Sequence, residues 1–135
     1  MAIRKNIWSG SKESIRKKSK NRQPEYNLQK SICSYLDIKY NKIFYNGSAG
    51  GQYQKYHSQR TKNKLTGYKS GFPDLFIYEP KGKYNGLAIE LKVKGNYPSP
   101  NQKKVIGILN EKGYLAKVCT GFEEATDEID SYLNL

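Results

Sequence analysis

The sequence has few residues that could crosslink the chain or bind a soft metal. Its 135 residues include only two cysteines, Cys33 and Cys119, and one histidine, His57. Neither cysteine has a CxxC neighbour, which disfavours a disulfide framework and a zinc site and predicts two reduced, partly buried thiols. His57 lies in a polar segment with no second histidine nearby, and we interpret it as a bystander or a nucleic-acid contact.

Long apolar runs are also missing. No stretch approaches the roughly 20 apolar residues of a membrane span, and the first six residues contain no apolar segment like that of a secretion signal. The phosphate-binding glycine loop that ends in Gly-Lys-Ser or Gly-Lys-Thr is absent too. These absences predict a cytoplasmic protein with no membrane contact, and the length is typical of one domain with its own core.

Acidic residues are scarce, and the charge is unevenly distributed. The chain has 24 Lys+Arg against 12 Asp+Glu, a net charge of +12, and residues 1–70 alone carry +13 while residues 71–135 carry −1. Such a surface favours a phosphate-bearing partner, although a solvated charge run that aids solubility is the alternative. Tyr53, Tyr56 and Tyr68 are interleaved with the basic residues and favour nucleic acid, because tyrosine rings can stack on bases.

The residue pattern predicts an α/β domain with the order helix, three strands, helix, strand, helix. Residues 1–21 are basic and aperiodic and are expected to form a flexible arm, which leaves residues 22–135 as a single domain. Pro24 suits the first turn of a helix, and Ser99 is the expected cap of a later one. The predicted helices cover residues 24–37, 101–112 and 122–133, and the predicted strands cover residues 42–45, 74–78, 87–93 and 114–119.

Charged residues stand inside two of the predicted strands. Asp74 begins one strand, and Glu90 and Lys92 lie within the apolar run 87–93. Because strand side chains alternate, Glu90 and Lys92 share one face, and a short hairpin would bring Asp74 beside Glu90. The two carboxylates, with the backbone carbonyl of Leu91, form an oxygen ligand set that suits Mg²⁺. Lys92 would then position a water or stabilise transition-state charge.

Two further residues extend this candidate site. Glu25 continues the apolar stripe of the first helix, so its carboxylate is expected on the core side, where it could hold a second ion or a metal-bound water. The alternative is a common first-turn partner of the helix dipole. Gln102 faces inward near the start of its helix, where it could orient Lys92 or a phosphate. A lone acid and lysine pattern is weak evidence, because ion pairs at sheet edges look the same.

The motifs that carry a family resemblance follow one another along most of the chain. They are Pro24-Glu25 with Leu28-Gln29, Asn46-Gly47, Gly71-Phe72-Pro73-Asp74-Leu75, Gly86-Leu87-Ala88-Ile89-Glu90-Leu91-Lys92, Ser99-Pro100 with Gln102, Leu109, and Gly113-Tyr114. This series resembles the VRR-NUC family of the PD-(D/E)XK nuclease superfamily. The resemblance implies the αβββαβ nuclease core, a mixed central sheet flanked by helices, here with an extra C-terminal helix. It also implies metal and catalytic roles for Glu25, Asp74, Glu90, Lys92 and Gln102.

The resemblance carries an expected activity as well. It implies an endonuclease that hydrolyses DNA phosphodiester bonds with Mg²⁺ or Mn²⁺. Stand-alone members resemble Holliday-junction resolvases, so it further implies a homodimer that cuts branched DNA and a phage-encoded protein acting in the host cytoplasm. One departure is that Lys117-Val118-Cys119-Thr120 stands where the family has a Val-Arg-Arg run. A non-catalytic nucleic-acid-binding module and a ribonuclease remain alternatives.

A set of basic and polar residues is the candidate contact surface to nucleic acid. They are Arg22, Asn46, Lys55, Arg60, Lys62, Lys64, Lys69, Lys94, Ser99 and Lys103.

Overall fold

The fold was analysed in a computed structural model that describes residues 23–48, 61–62 and 64–135. Among the described residues, three long helices and four strands follow one another in the predicted order, and residues 61–62 and 64–65 are also helical. The elements are α1 (Pro24–Lys39), β1 (Tyr45–Gly47), β2 (Leu75–Ile77), β3 (Leu87–Lys92), α2 (Pro100–Glu111), β4 (Leu115–Thr120) and α3 (Gly121–Leu133). The αβββαβ arrangement with a C-terminal helix is therefore confirmed, whereas the predicted arm at residues 1–21 lies outside the described residues.

The four strands form one mixed sheet in the order β1-β2-β3-β4. β1 and β2 are antiparallel, and so are β2 and β3, which form the predicted hairpin. β4 lies parallel to β3, and α2 makes the crossover between them. A parallel neighbour requires such a crossover, because a tight turn can connect only antiparallel strands.

The hydrophobic core lies between one face of the sheet and the helices α1 and α3. β3 is the central strand, and all six of its residues are buried. The buried side chains of this core are Ile32, Leu36, Leu75, Ile77, Leu87, Ile89, Leu91, Cys119, Ala125, Ile129, Tyr132 and Leu133. The thiols of Cys33 and Cys119 are free, as predicted, and burial raises the pKa of Cys119 to about 12.

Sequence features explain where α2 begins. Ser99 accepts a hydrogen bond from the backbone N–H of Gln102, and the Gln102 side chain accepts one from the backbone N–H of Ser99. This reciprocal capping box satisfies two of the amide groups that a helix start leaves without intrahelical partners. Pro100 occupies the first turn, where its missing N–H costs nothing.

The prediction for the first strand was wrong. Residues 42–45 were expected to be extended, followed by a loop from Asn46, but β1 covers Tyr45–Gly47. The N–H of Ile43 instead closes a turn onto the carbonyl of Tyr40. Gly47 pairs with Leu75, so the hydrogen bonds to β2 override the turn preference of the Asn-Gly pair.

The search for a membrane span gave a negative result. Among the described residues, no helix has both the length and the apolar character that crossing a bilayer requires.

Candidate active site

Asp74 and Glu90 lie opposite each other on neighbouring strands. Leu75 pairs with Ile89 in the antiparallel register, and one step further along the register Asp74 faces Glu90. The Oδ2 atom of Asp74 accepts a hydrogen bond of 2.8 Å from the backbone N–H of Leu91. This bond fixes the Asp74 carboxylate against β3, directly beside the Glu90 side chain.

Lys92 lies between two carboxylates. Its Nζ atom is 3.1 Å from Oε1 of Glu90 and 3.7 Å from Oε2 of Glu25. Burial alone would lower the pKa of Lys92, but the carboxylates outweigh that effect and raise the pKa above its ordinary value. The ammonium group is therefore charged at neutral pH although only 7% of the residue is exposed.

Gln102 contacts the acid rather than the lysine. Its Nε2 atom donates a hydrogen bond of 2.6 Å to Oε1 of Glu90. The Oε1 atom of the same amide accepts from the backbone N–H of Ser99 at 2.8 Å, which defines which end of the amide faces Glu90. The predicted role of Gln102 was to orient Lys92 or a phosphate; in the structure its amide and the Lys92 ammonium both contact Oε1 of Glu90, and the cap of α2 fixes the direction of the Gln102 side chain.

The electrostatics of Glu90 are unlike those of the other buried residues. Burial, and then the neighbouring charge of Asp74, raise the pKa of Glu90 to about 7, although Lys92 opposes this shift. Burial also raises the pKa of Asp74, against the lowering effect of its bond from Leu91. The Oε2 atom of Glu90 is buried and has no hydrogen-bond partner among the described residues. Two crowded carboxylates with an unused oxygen favour binding of a cation.

Comparisons with known proteins identify the family. The model of the VRR-NUC domain matches residues 11–123. The chain belongs to the VRR-NUC family. A solved structure titled "VRR_NUC domain protein" is 31% identical, with a TM-score of 0.71 over 82% of this chain and 88% of that chain. No curated protein matches.

Membership confirms the predicted family and is consistent with the PD-(D/E)XK superfamily. A VRR-NUC domain is a nuclease domain, so the substrate of this protein is a nucleic acid. The match begins at residue 11, inside the segment that we predicted to be an arm.

Two polar residues that contact the candidate site were absent from the predicted set. Gln29 donates a hydrogen bond of 3.0 Å from Nε2 to the backbone carbonyl of Asp74. Asn96 donates one of 3.2 Å from Nδ2 to Oε1 of Glu25. The signal for Gln29 was its spacing of four residues from Glu25, which puts both on one face of α1. The loop residue Asn96 has no comparable signal.

The hydrogen bond from Gln29 depends on a glycine. A Cβ atom added to Gly47 would lie 3.0 Å from Nε2 of Gln29. The absence of that atom leaves room for the amide beside the Asp74 carbonyl.

The candidate nucleic-acid contacts fall into two groups. Seven are polar or basic residues that lie exposed at the surface: Asn46, Lys62, Lys64, Lys69, Lys94, Ser99 and Lys103. The other three, Arg22, Lys55 and Arg60, lie outside the described residues, as do Tyr53, Tyr56 and His57.

The ligands available for a metal are few. Among the described residues, no group of three or more histidine, cysteine or acidic side chains converges on one point. Asp74 and Glu90 form the adjacent acidic pair, and Glu25 lies on the other side of Lys92, where it also accepts from Asn96. Glu90 contacts Lys92 and Gln102 through Oε1, which leaves its Oε2 atom for an ion. This donor set fits Mg²⁺ or Mn²⁺, because hard cations of this kind use one or two carboxylates and complete their shell with water and phosphate.

Proposed function

We propose that this VRR-NUC protein is an endonuclease that hydrolyses DNA phosphodiester bonds with Mg²⁺ or Mn²⁺. The observation that supports it best is the trio of Asp74, Glu90 and Lys92 on neighbouring strands, with the ammonium 3.1 Å from one carboxylate. A protein that only binds DNA gains nothing from two carboxylates facing a polyanion, since without a cation they would repel it. The charge of +12 would offset that repulsion over the rest of the surface.

The proposed metal ligands are Asp74, Glu90 and the backbone carbonyl of Leu91, with Glu25 holding a second ion or a water. Support comes from Glu90, whose buried Oε2 atom lacks a partner among the described residues and whose pKa is raised to about 7. When bound, the ion would polarise the scissile phosphate, promote attack by water and neutralise charge on the leaving oxygen.

The protein's own side chains would hold the phosphate and the carboxylates in position. Lys92 carries a buried positive charge that would stabilise the negative charge developing on the phosphate. Gln102 holds the Glu90 carboxylate, and the backbone N–H of Leu91 holds the Asp74 carboxylate, so both are restrained before substrate arrives. Gln29 holds the Asp74 backbone. Such preorganisation matters because the groups need not rearrange during the reaction.

Cleavage assays with matched variants test this function. Labelled single-stranded, duplex, flap and four-way-junction DNA would be incubated with Mg²⁺, Mn²⁺ or a chelator. We expect metal-dependent cleavage that falls at least roughly 100-fold in Asp74→Ala and Lys92→Ala, the scale seen when one transition-state contact is removed.

The controls are Asp127→Ala and Lys117→Ala, which change the same residue types at exposed positions of α3 and β4. Both should cleave like the unmodified protein. Equal cleavage by all four variants would refute the assigned site. RNA of the same sequence, cut as fast as DNA, would favour a ribonuclease.

Preference for branched DNA and a homodimeric state are the finer parts of the proposal. Two active sites related by a twofold axis would suit paired cuts across a junction. The family membership supports nuclease chemistry, and the dimer is inferred from resemblance to junction resolvases. Sedimentation analysis with and without a four-way junction should detect a dimer, and a monomer bound to the junction would exclude it.

A further inference from the structure

Aromatic side chains form a continuous row on one face of the sheet. The ring centroids of Phe44 and Tyr78 are 5.5 Å apart, those of Tyr78 and Phe76 4.5 Å, and those of Phe76 and Tyr114 5.3 Å. The row crosses from the β1 edge towards β4. Rings at these separations make one surface rather than scattered exposed residues.

This row lies on the same face as the candidate active site. Phe76 pairs across the strands with Ala88, and Ala88 is two residues from Glu90, so their side chains share a face. α2 covers this face at β3 and β4, where Gln102 contacts Glu90. Beside β1 and at the end of β2, two rings of the row are exposed: 71% for Phe44 and 45% for Tyr78.

A groove lies beside the row, next to the residues that precede β2. It has a volume of about 470 Å³, and Phe72, Pro73, Phe76 and Tyr78 are among the residues that line it. Pro73 precedes Asp74 directly, and the groove also includes Ser48, whose backbone N–H donates to the Asp74 carbonyl at 2.7 Å. A ligand in the groove would therefore lie close to the backbone of Asp74.

Basic side chains flank the groove on its other side. A neighbouring cleft of about 820 Å³ shares Tyr68, Lys69 and Phe72 with it. Four lysines and no acidic residue line this cleft, and within the described residues none of the four makes an ion pair. The lysines are Lys64, Lys69, Lys104 and Lys112.

We propose that the aromatic row and its groove bind the unpaired bases of a single DNA strand beside the cleavage site. The bases would stack on Phe44, Tyr78 and Phe76, while the strand's phosphates would contact the lysines of the cleft. Stacking requires an accessible base face, which a continuous duplex does not offer and an unpaired strand does. This inference rests on the proposed nuclease function, and it assigns substrates with single-stranded segments next to the cut.

The arrangement of charge favours a nucleic acid over a second copy of the chain as the occupant. A second copy of the chain would bring its own lysine-lined cleft against this one at a symmetric contact, and the two positive charges would repel each other. A DNA strand offers bases to the rings and phosphates to the lysines in one ligand. The groove also adjoins Asp74 in sequence through Pro73, so a strand bound there would lie beside that residue.

Binding measured in chelator tests this site independently of hydrolysis. The probe is a single-stranded DNA oligonucleotide with one 2-aminopurine, whose fluorescence is quenched when it stacks. We expect the unmodified protein to quench it. Phe44→Ala and Tyr78→Ala should each weaken single-strand binding roughly 5- to 150-fold, the scale of one base stacked on one aromatic ring. Tyr78→Phe, which keeps the ring, should bind normally.

The controls separate the possible outcomes. Ile38→Ala removes an apolar residue that is 84% exposed on α1 and should leave binding unchanged. Binding to continuous duplex should change by less than about twofold in every variant, because duplex bases do not stack on the rings.

Absence of quenching by the unmodified protein, or an equal loss of binding to duplex, would overturn the proposal. So would a change of oligomeric state in Phe44→Ala, which would mark the face as a contact between copies. Quenching without any metal-dependent cleavage would instead refute only the proposed nuclease function.

Discussion

Two residues of the candidate site, Glu90 and Asp74, lower the stability of the folded protein. Two carboxylates on adjacent strands raise the cost of ionising each other, and burial raises the pKa of both. Residues arranged for catalysis often reduce stability in this way, because the arrangement suits a ligand rather than the empty protein. Lys92 compensates in part by pairing with Glu90 at 3.1 Å.

Replacing one acid by its neutral isostere should therefore increase stability and remove activity. Asp74→Asn keeps an oxygen for the Leu91 amide but removes the charge beside Glu90. We expect the free energy of unfolding at pH 7 to rise by about 0.5–2 kcal/mol, with cleavage lost. Denaturant unfolding in chelator, together with the cleavage assay, measures both. Asp127→Asn, exposed on α3, should change stability by less than about 0.5 kcal/mol. A less stable Asp74→Asn would contradict the electrostatic argument.

At the scale of elements, glycines show how closely strands and side chains approach. An added Cβ at Gly86 would lie 2.8 Å from the carbonyl oxygen of Ile77 and 3.1 Å from the ring of Phe76. An added Cβ at Gly107, within α2, would meet no atom within 4 Å. Replacing glycine by alanine should therefore lower the stability of the protein at Gly86, between two strands, and raise it at Gly107, within a helix.

Gly86→Ala should destabilise the protein by about 1–3 kcal/mol, because backbone must move to relieve the contact. Gly107→Ala should stabilise it by about 0.5–1 kcal/mol, since alanine has less backbone freedom to lose in a helix. Thermal unfolding of both variants and of the unmodified protein measures these changes in stability. If both variants change the unfolding temperature equally and in the same direction, β2 moves away from the added methyl group more easily than these distances indicate.

A second feature at this scale connects α3 to α1. Burial opposes ionisation of Asp130, but hydrogen bonds from Tyr40, Tyr35 and Lys39 lower its pKa below the ordinary value. Both tyrosine hydroxyls and the ammonium approach the carboxylate within 3.0 Å. A charged acceptor shared by three donors is a stronger contact than an isolated surface ion pair.

This contact should make stability depend on pH at the acidic end. Because the folded pKa of Asp130 is lowered, its stabilisation is complete above the unfolded pKa of about 3.9 and is lost as pH falls through the folded value. Asp130→Asn should cost about 1–2 kcal/mol at pH 7 and progressively less below pH 4. Denaturant unfolding across this range measures the difference from the unmodified protein. A difference that stays constant with pH would contradict the charge-based explanation.

At the scale of the whole molecule, half of the net charge of +12 comes from residues 1–21, which lie outside the described residues. The core and the candidate site come from residues 24–133. The first 21 residues contribute seven basic side chains and one acidic one. These residues should therefore affect substrate binding more than stability.

Deleting residues 1–21 should leave cooperative unfolding intact and weaken DNA binding. The slope of log K against log salt should become less steep by up to about 0.9 for each phosphate that the deleted residues would otherwise neutralise. Titrations of duplex DNA at several salt concentrations, with thermal unfolding as the control for folding, measure both effects. A deletion variant that fails to fold would refute the predicted domain boundary at residue 22.

Much of the fold could be predicted because it depends on local patterns. Side-chain alternation put Glu90 and Lys92 on one face, and the cap at Ser99 located the start of α2. The strand β1 could not be located as well, because only pairing with β2 decides that Gly47 is extended. Of the predicted acids, Asp74 and Glu90 lie side by side across β2 and β3, whereas Glu25 contacts Lys92 and Asn96.

Sequence alone determined the family, the order of elements and the excess of positive charge, since each is written in residues close together or in simple counts. Tertiary structure decided which groups meet: Gln29 with Asp74, 45 positions away, and Gln102 with Glu90. It also decided that Phe44 and Tyr78 form one exposed row. The physical reason is that such contacts depend on strand register and helix packing, which distant segments fix only when they come together.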